Sequence, residues 1–529
     1  MRLLGGEAAS SRGQVDAVGA WDWGPMLVAR CLWRELGLEK ILDGMGKTEW
    51  SDRALALVAN RLCRPSSEHG LARWLETDFV CDRAGRRWLP QWRSQAERRA
   101  SRRPRVAVKD AQLKQWYGTL DGLIAGKERI EKELFFNLRN LFSLKADLVF
   151  YDLTSTYFEG HGPGLAAHGH SRDRRPRNRQ VLVGLVMIDG WPIAHHVFAG
   201  NWRDASTVQR VLKDLESRFG LQRVIVVGDR GMVTSANIEW IRSRDQGYLM
   251  GLNRRRRPEI FRYLQSATGP WLECPAGIAA SEKSVVPKTL VQEVVSDQAG
   301  LRVFVVHSDE RAAYEQAERQ KAMQRVQLQL QALGQRVAKG KLKAPEKIGA
   351  AATRILTRYH GYRYYDWQLK EGQLDYFQHP VNLKREQAIE GKYLIATEEQ
   401  NLSPIQAVQV YKELSDIERA FRELKDVIQM RPIYHQISRR VAAHIFVASL
   451  AFLLDRALEK KLKAAGLNFS SQEAWQILRT VRLVEIDLGD REHKQSVTSG
   501  SGRAAKILNA LKIRDLQPSC GRKTAGKVA

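Results

Sequence analysis

The sequence predicts a mixed α/β chain with a helical N-terminal domain, and three observations predict it. The first 145 residues show apolar positions at three-to-four spacing; the next hundred alternate short β-rich runs with amphipathic helices; and a long, well-capped helix follows a long intervening segment.

The N-terminal runs MLVARCLWRELGLEKIL, RALALVANRLC and ELFFNLRNLF are separated by turns at Gly37, Gly44 and Pro65. Residues 1–145 are therefore expected to form a helical domain, either DNA-binding or oligomerising. From residue 146 the pattern changes. ADLVFYDLT, QVLVGLVMIDG and PIAHHVFAGN read as three strands, STVQRVLKDLESRFG as a helix, RVIVVGDRG as a strand, residues 235–244 as a helix and GYLMGLN as a strand. Three antiparallel strands joined to parallel ones through helices is the ribonuclease-H-like plan, an order that other α/β folds share.

Residues 253–390 are expected as a mainly β insertion, with strands TLVQEVV and RVFVVHS and a polar, Gln-rich helix over 310–343. Residues 391–485 return to the central domain: strand GKYLIAT, the helix over 403–428, and the apolar run Val441–Leu454, a core helix too short to span a bilayer. The basic tail, 486–529, is expected to be poorly ordered beyond about 490 apart from AAKILNALKI.

Composition narrows the class. The 529 residues hold 85 Lys plus Arg against 59 Asp plus Glu, a formal charge of +26. That excess favours a polyanionic partner. Basic residues recur in 86–105, SRDRRPRNR (171–179) and NRRRRP (253–258), so a lone basic tail does not explain it. Any single run also reads as a solvated surface. Five scattered Cys with no CxxC pair and no zinc spacing read as a reduced cytosolic set, and the N-terminus carries no signal-peptide pattern.

The 403–428 helix carries the chemistry. Ser403 suits the N-cap, Pro404 the first turn, and Gln406 completes a capping box. At about 100° per residue, Tyr411, Leu414, Glu418, Phe421 and Lys425 share one face, so Glu418 is expected amid an apolar stripe. A buried carboxylate needs a cation, a hydrogen bond or a metal. Asp152 and Asp229 each end a hydrophobic strand, where α/β ligand sites form. Each also fits a plain turn or cap. Two Asp and one Glu offer hard oxygen ligands for Mg²⁺, leaving positions for water and phosphate oxygens. His195 and His196 are expected to pack or hydrogen-bond, and Trp271 and Trp367 to be core aromatics with base stacking as the alternative.

YDLTSTYFEG, GHSRDRRPRNRQVLVGLVM, HHVFAGN, VVGDRGM and YKELSDIERAFRELK followed by QMRPIYH together resemble bacterial insertion-sequence transposases of the DDE type, nearest the insertion-sequence-four-like group, over roughly 146–460. The resemblance implies Asp152, Asp229 and Glu418 as catalytic and metal-binding residues, with Mg²⁺ as cofactor, Mn²⁺ as a substitute and no nucleotide cofactor. The family's Tyr-Arg-Glu-Lys signature falls on Tyr411, Leu414, Glu418 and Lys425, so leucine stands where relatives carry arginine. Tyr411, Lys425 and the loop residues Arg172, Arg174, Arg175, Arg177 and Arg179 are expected to contact DNA. Alternatively, Tyr411 is core, Lys425 pairs with an acid on its own helix, and the loop is solvated. The implied activity is metal-dependent cleavage at element ends and strand transfer into target DNA. The partners are double-stranded DNA (terminal repeats and target) and a second copy of the chain in the DNA complex; no membrane is involved, and the bacterial cytoplasm is the location. A ribonuclease-H-like nuclease or junction enzyme without strand transfer, or a non-catalytic DNA-binding relative, are the competing readings.

Overall fold

The computed structural model describes residues 16–46, 48–89, 109–144, 147–232, 234–252, 258–275, 287–487 and 493–518. Most of the basic run 86–105 and nearly all of 253–258 lie outside them. The chain is a mixed α/β structure with a large mixed sheet and flanking helices. Packing divides it into two compact units, one of residues 1–224 with 415–529 and one of residues 225–414.

In the first unit, strand β1 (Asp16–Asp22) precedes helices Gly24–Glu35, Leu38–Asp43, Thr48–Cys63, Leu71–Thr77, Lys109–Ala125 and Lys127–Phe142. The helical expectation for 1–145 holds apart from β1. Strands β2 (Leu148–Tyr157), β3 (Gln180–Ile188) and β4 (Trp191–Ala199) form an antiparallel meander, with Asp152 opposite Leu185. Every residue of β3 is buried, as expected of an apolar strand covered on both faces. Helix Asp204–Phe219 follows and ends on Gly220 at φ 69°, the left-handed position glycine fills without a Cβ clash.

Ser438–Ala464 is the core helix of this unit, packing on β4 and on helices Thr48–Cys63 and Lys109–Ala125. At 27 residues it is long enough to cross a bilayer, contrary to the length argument, but 89% of its most apolar window is buried within the protein. The C-terminal region is more structured than its composition suggested. Strands β13 (Arg482–Asp487) and β14 (His493–Val497) join β1 in an antiparallel sheet, and AAKILNALKI contributes to helix Gly502–Ala510. A strand made from the two ends of a long chain leaves no local sequence signature.

In the second unit, β5 (Ile225–Gly228) and β6 (Gly247–Leu252) are parallel and linked through helix Ser235–Arg242. The sheet continues antiparallel through β12 (Lys392–Thr397), β9 (Arg302–Ser308), β8 (Thr289–Val294) and β7 (Leu272–Cys274). Three strands of the expected insertion therefore extend the sheet beside β12 rather than interrupt it. The expectation of a mainly β insertion is corrected: residues 253–390 hold helices of 9, 30, 14 and 10 residues against strands of 3 to 7. Two small cores account for this. Tyr263 and Leu264 pack on Val303 and Leu394 of the sheet, with Trp271 against them. Val326, Leu330, Ala352 and Leu356 join the long helix Asp309–Ala338 to helix Pro345–Arg358 and to hairpin β10–β11 (Tyr365–Lys370, Gln373–Gln378), with Trp367 against them. Both tryptophans are thus core-associated.

Candidate functional site

Helix Pro404–Arg422 starts as its sequence requires. Gln406 N donates to Ser403 Oγ (3.3 Å) and Ser403 N donates to Gln406 Oε1 (2.9 Å), a reciprocal capping box. Its buried row is Ala407, Leu414, Ile417, Phe421 and Leu424. Glu418 is exposed, which corrects the expectation of an acid inside the apolar stripe. It follows Ile417 by one residue, about 100° round the helix, and so falls on the solvent rim.

Asp152 is half-buried in β2, where its Oδ1 accepts a hydrogen bond from Leu153 N at 2.7 Å. Beside it, the Tyr151 hydroxyl donates to Thr207 Oγ1 (2.8 Å), and burial raises the Tyr151 pKa. Asp229 is exposed directly after β5, and its carbonyl accepts from Met232 N in the turn that follows. Asp152 and Glu418 belong to the first unit, Asp229 to the second. As the expected ligands, these three carboxylates would offer the hard oxygen chemistry that suits Mg²⁺.

Tyr411 stacks on Tyr393 (5.9 Å between ring centroids) and packs its hydroxyl against Gly251, where a Cβ would lie 2.2 Å from the oxygen. Gly251 is what makes room for it. Leu414 is buried, so an uncharged side chain is what this position accommodates.

Lys425 lies in a single π-helical turn, Glu423–Val427, and is 9% exposed. It pairs with Asp173 (Nζ–Oδ1 2.7 Å), an acid of the arginine-rich loop rather than of its own helix. Burial lowers its pKa, with Asp173 pulling the other way. Arg431 Nη1 binds the same Oδ1 at 2.6 Å, and Arg431 also pairs with Asp426. Asp173 and Arg431 were missed by sequence reasoning. The one available signal was a single acid among five arginines in 171–179.

That loop is held at several points. Arg172 N donates to Ser155 Oγ (2.9 Å), and Arg172 Nη2 pairs with Asp204 (2.6 Å). Arg175 lies over the Tyr157 ring, and Arg179 Nη1 donates to the His161 carbonyl at 3.4 Å. Arg174, Arg175, Arg177 and Arg179 are exposed, whereas Arg172 is half-buried and engaged. His195, fully buried, pairs with Glu131 (2.9 Å) and stacks on Phe446, and His196 contacts Asp214 (3.4 Å), both structural roles.

A second polar cluster was not legible in sequence. Glu68, His435 and His444 bring their ligand atoms within 4.8 Å of one another, beside a cavity of ≈ 540 Å³. They do not fit a Mg²⁺ centre. His444 Nε2 is engaged with the Met430 carbonyl (3.0 Å), and its Nδ1 faces the Arg61 guanidinium (3.1 Å). Burial and the Arg61 charge push His444 down to about 3. Burial works against the Glu68 carboxylate, but His435 and Arg61 outweigh it and hold it at about 2. The cluster therefore works as a clamp. With Arg61 Nη1 on the Gln429 carbonyl (3.5 Å), it fixes the segment leaving the Glu418 helix, whose Ile433 N donates to Tyr157 O (2.9 Å) at the end of β2.

A family model described as a transposase DDE domain matches residues 145–454. No curated protein matches the chain. Among solved structures, the chain is similar to a piggyBac transposase in a synaptic complex with hairpin DNA, at 9% identity and a TM-score of 0.38, covering 87% of this chain and 80% of that one.

Proposed function

Because the chain belongs to the transposase DDE domain family, we propose that it cuts the ends of a mobile DNA element and joins them to target DNA, with Asp152, Asp229 and Glu418 as its metal-binding carboxylates. One observation supports this reading: the family match over 145–454 brackets all three acids, Asp152 within β2, Asp229 directly after β5 and Glu418 on a capped helix.

When bound, a Mg²⁺-type ion supplies Lewis-acid stabilisation of the charge that builds on a phosphodiester. The chain's own part is to present the carboxylates and to keep the DNA backbone beside them. Asp229 and Glu418 are exposed and so open to solvent and substrate. The exposed guanidiniums of Arg174, Arg175, Arg177 and Arg179 are suited to phosphate oxygens, which Arg binds in a planar fork. Lys425 has a different part. Held by Asp173, it ties the arginine loop to the π-helical turn after the Glu418 helix, so its effect on DNA passes through the loop. Tyr411, packed on Gly251 and Tyr393, supports the helix from the sheet.

The ribonuclease-H-like plan, the insertion-sequence-four-like grouping, Mg²⁺ with Mn²⁺ as substitute, a homodimer holding two element ends, and a cytoplasmic location are parts of the same reading. With leucine, buried, at the signature arginine position, that arginine's phosphate contact comes from a neighbour such as Lys412 or Arg422 or is missing. The test is Mg²⁺-dependent nicking and joining of a terminal-repeat duplex by purified Asp152→Asn, Asp229→Asn and Glu418→Gln. Each is expected to lose activity while still binding DNA; three fully active variants would sink the triad.

A further inference from the structure

The helical arm of the second unit carries a charge asymmetry that the carboxylate chemistry does not use. Between residues 336 and 363 the sequence has eight Arg and Lys and a single acid, Glu346. In the first half of helix Asp309–Ala338 the cations are neutralised: Arg311 pairs with Glu315 (3.0 Å), Arg319 with Glu390 (2.5 Å) and Lys321 with Glu318 (2.9 Å). Towards the other end, Lys341, Lys343, Lys347, Arg354 and Arg358 are all exposed, and none of them is in an ion pair among the described residues.

The placement is ordered. On helix Pro345–Arg358, Lys347, Arg354 and Arg358 are spaced i, i+7, i+11, within about 20° of one line along the helix. The stripe runs about 16 Å. The buried residues Ile348, Ala352 and Leu356 lie on the opposite side, held in the arm's own core, so the cations project from a fixed surface. Lys341 and Lys343 continue it along the connecting loop.

Helix electrostatics accounts for only the C-terminal end of this stripe. Cations are favoured at a helix C-terminus and disfavoured at the N-terminus. Lys343 and Lys347 flank the start of the helix, where the partial charge is already positive. The dipole favours Arg358 in the last turn but not Lys343 and Lys347 at the start, and a row of like charges without ion-pair partners among the described residues is stable beside a polyanion and self-repelling without one.

We infer that this face of the arm, centred on Lys347, Arg354 and Arg358, is a second DNA-binding surface that grips the phosphate backbone of a duplex independently of base sequence. It rests on the reading of the chain as a DNA transposase and adds a grip at a distinct surface. The backbone is the ligand because the donors are long, exposed point charges and forks spaced along one line, which suits repeated phosphates. Tyr362, half exposed beside the Arg363 guanidinium, offers an edge for packing on the sugar backbone.

The test compares two double variants of the full chain that lose equal charge. Lys347→Gln with Arg354→Gln removes two cations from the stripe; Arg311→Gln with Lys321→Gln removes two that are already paired. Affinity for an arbitrary-sequence duplex of about 30 bp is measured without divalent metal over a range of KCl. Each lost phosphate contact flattens the slope of log K against log salt by about 1. The stripe variant is expected to flatten it by about 2 and to bind on the order of ten-fold more weakly at low salt, whereas the paired-cation variant matches wild type. Lys347, Arg354 and Lys321 are exposed and Arg311 is half-buried over the Tyr393 ring, so binding is compared at a temperature well below each variant's thermal melt. Equal slopes for wild type and stripe variant, or equal losses in both variants, would overturn the arm surface while leaving the transposase reading intact. A wild-type chain with no salt-dependent duplex affinity would overturn both.

Discussion

Asp173→Asn offers the sharpest test of how the arginine loop is held. The Asp173 side chain is 2% exposed, and its Oδ1 receives Lys425 Nζ at 2.7 Å and Arg431 Nη1 at 2.6 Å. Its Oδ2 is buried with no hydrogen-bond partner among the described residues. Removing the charge therefore leaves the Lys425 ammonium buried without a counter-ion, and breaking a buried pair from one side costs about 3–5 kcal/mol. Arg431 is less affected, because it is more exposed and keeps Asp426. The penalty belongs to the stranded charge rather than to the lost bond. Adding Lys425→Met should therefore recover most of it, since a methionine fills similar space without a charge to desolvate. Urea denaturation followed by tryptophan fluorescence and far-UV circular dichroism reads both variants. The reasoning is refuted if Asp173→Asn costs under about 1 kcal/mol, or if the double variant is no more stable than the single one.

Two further outcomes follow from the geometry. Gly251→Ala drives a Cβ to within 2.2 Å of the Tyr411 hydroxyl and is expected to cost about 1–3 kcal/mol, with Tyr411→Phe restoring part of the loss; equal urea midpoints for wild type and Gly251→Ala would contradict the packing. Acid is expected to destabilise the first unit through its buried neutral histidines. His195 is pushed down to about 4 by burial and the Lys127 charge, against Glu131, and His444 to about 3 by burial and Arg61. In the unfolded chain both titrate near pH 6.5. Their contribution is thus complete above that value and is lost as pH falls towards 4 and 3, at about 1.4 kcal/mol per pH unit for each histidine. A urea midpoint unchanged between pH 7.5 and 5 would contradict it.

Local patterns were legible wherever one short segment carried its own reason. The capping residues Ser403 and Gln406 announced the helix that holds Glu418. The unbroken apolar run of β3 announced a doubly covered strand, and Asp229 does follow the end of β5, whereas β2 runs on past Asp152 to Tyr157, so the expected strand ending at Asp152 is corrected to a mid-strand position. What failed was the inference from a helical wheel to burial. Glu418 shares a face with Phe421 on paper, yet the row the structure buries is centred on Leu414, Ile417 and Leu424. A period locates a stripe, and the neighbouring elements decide where its edge falls.

The sequence by itself determined the element types of residues 147–252, the family motifs and the basic excess, because each is a property of residues close in the chain. Tertiary structure alone decided that Lys425 is bound to Asp173, 252 residues away, and that Arg61 and Glu68 brace the segment after the Glu418 helix. It alone joined β1 to β13 and β14, and left the cations of residues 341–358 without ion pairs among the described residues while neutralising those of Arg311 and Lys321. Charge is written in composition, but whether a charge is spent inside the protein or left for a partner depends on which distant residue folds beside it.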